Sequence, residues 1–107
     1  MFEKEIDSYL ETMASFITKK AVARADFAKT KAELTILMAK HINKSSASFE
    51  NKIQLLLQIP EITEKVQKLS DSFIMNECLW KNYRDFADLY RLKIIESQSR
   101  RKEKNIL

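Results

Sequence analysis

The stretch Ile62–Ile94, ITEKVQKLSDSFIMNECLWKNYRDFADLYRLKI, decides the fold. Its large apolar side chains recur at alternating steps of three and four: Ile62, Val66, Leu69, Phe73, Trp80, Tyr83, Ala87, Tyr90 and Ile94. That spacing lays one stripe along a helix and cannot belong to a strand, whose side chains alternate with a period of two. Asn76 is the single polar residue on the stripe. A polar group at such a position sets register or partner number at some cost in stability. The pattern predicts a helix from about residue 60 to 101, opened by Pro60 in the first turn, with Glu61 and Glu64 placed where the helix dipole favours negative charge. At 1.5 Å per residue, such a helix is too long to bury its stripe on itself.

Its partner lies at the other end of the chain. From about residue 2 to 42, Ile6, Tyr9, Met13, Phe16, Ala23, Phe27, Leu34 and Leu37 repeat the same spacing, interrupted by Lys20, Thr30 and His41. Beside this stripe runs a second one of mostly small residues: Leu10, Ala14, Ile17, Ala21, Ala25, Ala28 and Ala32. Two apolar stripes require two neighbours, so either the chain self-associates or a short third helix folds over the pair. Between the long helices, Asn43-Lys44-Ser45-Ser46-Ala47-Ser48 is a break. Asn43 is suited to a left-handed helix end and the serines to capping the next helix. That helix, about residues 49 to 58, is anchored by Ile53, Leu56 and Leu57. The expectation is an all-α chain in one domain: two long antiparallel helices joined by a short middle helix, assembling into an oligomeric bundle.

Composition agrees. The 107 residues include no glycine and one proline. Hairpin turns and sheets draw heavily on glycine, and its absence also removes the glycine-rich loops that cradle phosphates. No apolar run reaches the length of a membrane span, and the acidic start differs from a signal peptide. One cysteine allows no internal disulfide, consistent with a reducing, cytoplasmic setting in a bacterial or phage-infected cell. The net charge of +4 is unevenly distributed. Residues 1–18 carry −3, residues 19–44 carry +5, residues 45–90 carry −2 and residues 91–107 carry +4. In an antiparallel hairpin the acidic start lies beside the basic end, and complementary helix pairing alone accounts for the blocks.

Candidate chemistry is sparse. His41 and Cys78 are the only residues of their types, no histidine pair exists for a metal, and the carboxylates follow helical surface spacing without forming an acid–base pair. Cys78, beside Leu79 and Trp80, reads as a small buried residue, and His41 as a cation at a helix end. The chain is therefore expected to be no enzyme and to need no cofactor. Two basic surfaces fit a polyanion: Lys19, Lys20, Arg24, Lys29 and Lys31 on the first helix, and Arg91, Lys93, Arg100, Arg101, Lys102 and Lys104 near the end. Together with the aromatics of the last helix they match the aromatic platforms and cations that hold single-stranded nucleic acid. The competing reading makes these aromatics helix-pairing core, with Phe73, Asn76, Trp80, Tyr83, Phe86 and Tyr90 at an oligomer interface.

The order of features resembles small phage recombination mediators of the UvsY type. The likeness rests on the basic, alanine-containing stretch Ala21-Val22-Ala23-Arg24-Ala25-Asp26-Phe27-Ala28-Lys29, a short polar connector, and the segments Leu79-Trp80-Lys81-Asn82-Tyr83, Ala87-Asp88-Leu89-Tyr90 and Ile95-Glu96-Ser97-Gln98-Ser99-Arg100-Arg101. The present chain is short, with no glycine in its connectors. The resemblance implies a homo-oligomer whose basic surfaces touch single-stranded DNA and which serves a recombinase partner. The alternative is a helical scaffold or protein-interaction module, including a phage-encoded inhibitor of a host protein, without nucleic-acid binding. Membrane-surface attachment is disfavoured, because Ile94 and Ile95 give the basic end too thin an apolar stripe.

Overall fold

A computed structural model describes the backbone of residues 2–106 and the side chains of residues 3–102. Three helices follow one another: α1 (Phe2–His41), α2 (Phe49–Leu57) and α3 (Thr63–Ile106), and no strand occurs among the described residues. The chain is an all-α helical hairpin with a short helix in its connection. Its packing falls into two units, Met1–Val22 with Leu79–Leu107, and Ala23–Cys78. In each, α1 and α3 lie side by side, and both apolar stripes face inward as their spacing requires.

In the second unit the core is formed by Leu34, Leu37, Met38, Ile53, Leu56, Val66 and Phe73. Leu34, Leu56 and Val66 are fully buried, each contributing about 1.5–3 kcal/mol relative to an exposed side chain. Ile53 and Leu56 come from α2, so the short helix folds onto its own chain. Phe73 is held between Phe27 and Phe49, at ring-centroid distances of 4.8 and 5.3 Å. Thr30, a polar interruption of the α1 stripe, is buried. Its hydroxyl donates back to the carbonyls of Asp26 and Phe27, both at 3.0 Å, so its burial leaves no unmet donor. Asn76 is also buried, and its Nδ2 donates to Ser72 Oγ at 3.1 Å on the same helix.

The connection departs from expectation at two points. No described residue has a positive φ, so Asn43 does not end α1 in a left-handed conformation. A turn in which Ser45 N donates to Ile42 O at 3.0 Å closes it instead. Ser48 does cap α2, its side chain accepting from Asn51 N at 3.3 Å. The last helix begins at Thr63 rather than Pro60. Residues 59–62 form a turn in which Ile62 N donates to Ile59 O, and the Thr63 hydroxyl donates to the carbonyls of Leu57 and Ile59 at 3.0 and 2.8 Å. These bonds occupy carbonyls left over at the end of α2.

Among the described residues of the first unit, Ile6, Ala87, Ile94 and Ser97 are buried, none of them fully enclosed. Ring pairs add to this packing. The Arg101 guanidinium donates to Glu3 Oε1 at 3.0 Å, which brings the acidic start against the basic end. Exposed ion pairs of this kind contribute about 0–1 kcal/mol, so this one fixes register more than it stabilises.

Candidate nucleic-acid interface

The apolar stripe of α1 presents Tyr9 and Phe16 in the first unit, and that of α3 answers with Tyr83 and Tyr90. Phe16 is the hub. Its ring centroid lies 5.2 Å from Phe86, 5.9 Å from Tyr90 and 6.2 Å from Tyr83, and Tyr9 meets Tyr90 edge-on at 5.9 Å. Such pairs contribute about 0.5–1.5 kcal/mol each beyond the area they bury. Four of the five rings are half-buried, whereas Phe86 is 46% exposed. Phe86 stands just off the α3 stripe, which lets one side of its ring touch Phe16 while another faces solvent.

Cations border this aromatic cluster. Lys19 Nζ lies 5.7 Å from the Phe16 ring, and Lys93 Nζ lies 4.7 Å from Tyr90 and 5.6 Å from Tyr9. Further along α3, Lys81 and Arg84 approach Trp80 at 5.9 and 5.3 Å. A cation over a ring face gains about 0.5–1 kcal/mol when exposed, and Arg84 in addition donates to Asp85 Oδ1 at 3.2 Å. Tyr9 donates to Glu5 Oε1 at 2.8 Å, and this bond to a carboxylate raises the phenol above its ordinary value of 10.0.

The basic residues read from the sequence have different surroundings. In the first unit Lys19, Arg91 and Lys102 are exposed, and Lys20 and Lys93 are half-buried. Arg100 pairs with Glu96 one turn earlier, and that hydrogen bond raises its guanidinium further above the ordinary arginine value. Arg101 is engaged by Glu3. The C-terminal arginines thus already hold carboxylates, and a polyanion would have to displace them. The side chain of Lys104 lies outside the described residues. In the second unit Arg24, Lys29 and Lys31 are exposed, with Arg24 5.3 Å from the Phe27 ring and Lys31 5.8 Å from the Phe49 ring.

Of the side chains expected at an oligomer interface, Phe73 and Asn76 are buried within their own unit, and Trp80, Tyr83 and Tyr90 are half-buried in theirs. Phe86 alone is largely open. Cys78 is exposed rather than buried. It lies two residues from both Asn76 and Trp80, a helical rotation of about 200° from each, and so points away from the stripe they share. His41 is exposed at the last residue of α1. No group of three or more histidine, cysteine or acidic side chains is placed to hold a metal among the described residues. No helix of the described residues is long and apolar enough to cross a membrane.

The contribution of α1 to the aromatic cluster is what the sequence reading missed. Tyr9 and Phe16 occupy the stripe positions that antiparallel pairing sets against Tyr90 and Tyr83, so stripe and pairing direction together contained the signal. Comparison with protein-family models, with curated proteins and with solved structures yields no match to this chain.

Proposed function

We propose that the chain is a non-enzymatic adaptor that binds single-stranded nucleic acid through the aromatic–basic face of its first unit. The supporting observation is the pairing of a solvent-facing ring, Phe86, with two ammonium groups, Lys19 and Lys93, at the borders of the same ring cluster. A base stacks on any aromatic face whatever its identity, and a duplex offers no unstacked base for that purpose. The cations neutralise neighbouring phosphates, so affinity falls as salt rises. The non-enzymatic part of the reading draws on the scarcity of nucleophiles and bases: the single histidine is exposed at a helix end, and the described carboxylates are exposed or half-buried on helix surfaces. The resemblance to phage recombination mediators adds single-stranded DNA as the polymer and a recombinase as the protein served.

The test is a fluorescence anisotropy titration of a labelled single-stranded oligonucleotide across a salt series. Engagement of two phosphates by Lys19 and Lys93 gives a slope of about −1.4 in log affinity against log salt, at about 0.7 per phosphate. Absence of binding even at low salt removes the reading. A protein-interaction module then becomes the better description, favoured by the exposure of Leu92 and Ile95 on α3.

A further inference from the structure

The second stripe of α1 is left uncovered. Ala14, Ala21, Ala25, Ala28 and Ala32 are all exposed, and Leu10 and Ile17 are 43% and 45% exposed. The short helix α2, which could have covered it, spends Ile53 and Leu56 on the core of the second unit instead. In that unit Arg24, Phe27, Ala28, Lys31, Ala32 and Ile36, all on α1, line a shallow open groove of about 530 Å³ that is mostly apolar and carries two cations. In the first unit the outward face of the α1 segment Asp7–Ile17, with Asp7, Leu10, Glu11, Ala14 and Ile17 exposed, offers the complement. Asp7, Leu10, Glu11, Ala14 and Ile17 follow one another at steps of three, one, three and three, which places them on one helical face. The Asp7 and Glu11 side chains make no ion pair or hydrogen bond with the described residues.

From this complementarity we infer that the groove of one chain receives the Asp7–Ile17 segment of a second copy of the same chain. Leu10 and Ile17 supply the apolar contact, and alanines on both sides allow the two helices to approach closely. Asp7 and Glu11 then meet Arg24 and Lys31. Charge favours this occupant: the groove carries two positive side chains, and Asp7–Ile17 carries two negative ones and no positive one. Where two chains each place their segment in the other's groove, the exchange is reciprocal, and such a self-complementary interface closes the assembly at two copies. This inference does not depend on nucleic-acid binding, since the face around Phe86 takes no part in it.

Sedimentation equilibrium of the full chain tests it. The wild type is expected at twice the 12.6 kDa chain mass, with association weakened by salt. The double variants Asp7→Lys/Glu11→Lys and Arg24→Glu/Lys31→Glu are each expected at a single chain mass with helical circular dichroism retained. Their equimolar mixture is expected to return to two chains, because the reversed segment of one variant fits the reversed groove of the other. If a charge variant loses helicity, Ala28→Trp, which fills the groove from an exposed position, serves in its place and is expected at one chain mass. A single-chain mass for the wild type overturns the inference. So does undiminished association of the folded variants, or a mixture that stays monomeric.

Discussion

Replacing Leu34 with alanine removes three carbons from a side chain with none of its surface exposed, packed among Leu37, Met38, Ile53, Leu56, Val66 and Phe73. The transfer term alone is about 2.4 kcal/mol at about 0.8 kcal/mol per methylene. The cavity left behind adds to it, since contributions from both α2 and α3 fix the surrounding wall; a total of about 3 kcal/mol is expected, within the range of buried Leu→Ala replacements. A chain of 107 residues has a global stability of about 5–16 kcal/mol at about 0.05–0.15 kcal/mol per residue, so the loss is a large share. Urea unfolding followed by far-UV circular dichroism, at one fixed protein concentration, reads the effect. With a slope of about 1–3 kcal/mol per molar urea, the midpoint falls by about 1–3 M. Ile74→Ala provides the control, because Ile74 is in the same unit but 62% exposed, and surface changes of that kind stay within about 0.5 kcal/mol. A Leu34→Ala loss under about 1 kcal/mol, or one no larger than that of Ile74→Ala, would refute the packing described for the second unit.

Four further outcomes follow from the same geometry. Asn76→Leu is expected to leave the solution mass unchanged, because Asn76 is satisfied by Ser72 of its own helix; a changed subunit number in sedimentation equilibrium would show that it acts across an interface instead. Phe86→Ala should weaken single-strand binding by about 1–3 kcal/mol, the worth of one base–aromatic stack, with helicity intact, and unchanged affinity in the anisotropy titration would free Phe86 of any contact. Because the Tyr9 phenol is raised by its bond to Glu5, that bond favours folding below the ordinary tyrosine value and is lost as pH climbs through the higher folded one; the difference in phenolate absorbance between wild type and Tyr9→Phe should therefore have its midpoint above 10.0, and Glu5→Gln should bring it down. Amide hydrogens near Leu34, Leu56 and Val66 should exchange more slowly than those of the first unit, where none of the described side chains is fully buried, and mass spectrometry showing the reverse order would contradict the placement of the core.

The helical architecture was legible because one periodicity carries both long helices. The steps of three and four from Val66 to Ile94 reappear as the inward-facing residues of α3, and even the polar interruptions Thr30 and Asn76 are buried in place. Thr30 could occupy such a position because its hydroxyl returns to its own helix, a local solution that stripe counting does not reveal. The apolar Leu79 and Trp80 beside Cys78 suggest burial, but rotation about the helix axis governs it and leaves Cys78 exposed. The start of α3 was misplaced because Pro60 is compatible with a first turn; hydrogen bonds from Thr63 back to Leu57 and Ile59 decide the boundary, and these depend on how α2 ends. The basic surfaces were visible as charge, but their partners were not. The engagement of Arg101 by Glu3 links residues 98 positions apart, whereas Lys93 lies against the half-buried rings of Tyr9 and Tyr90, in the same cluster as the exposed ring of Phe86. That contrast moves the candidate site from the C-terminal arginines to the rings around Phe86.

Competition between a labelled single strand and unlabelled duplex of the same sequence, at physiological salt, tests the proposed function most directly when run with the wild type and with the Phe86→Ala/Lys93→Glu variant. Single-strand binding by the wild type that duplex fails to displace, and that the variant loses while keeping its helicity, is the expected result. Equal displacement by duplex, or a folded variant that binds as tightly as the wild type, would contradict the assignment of this face to single-stranded nucleic acid.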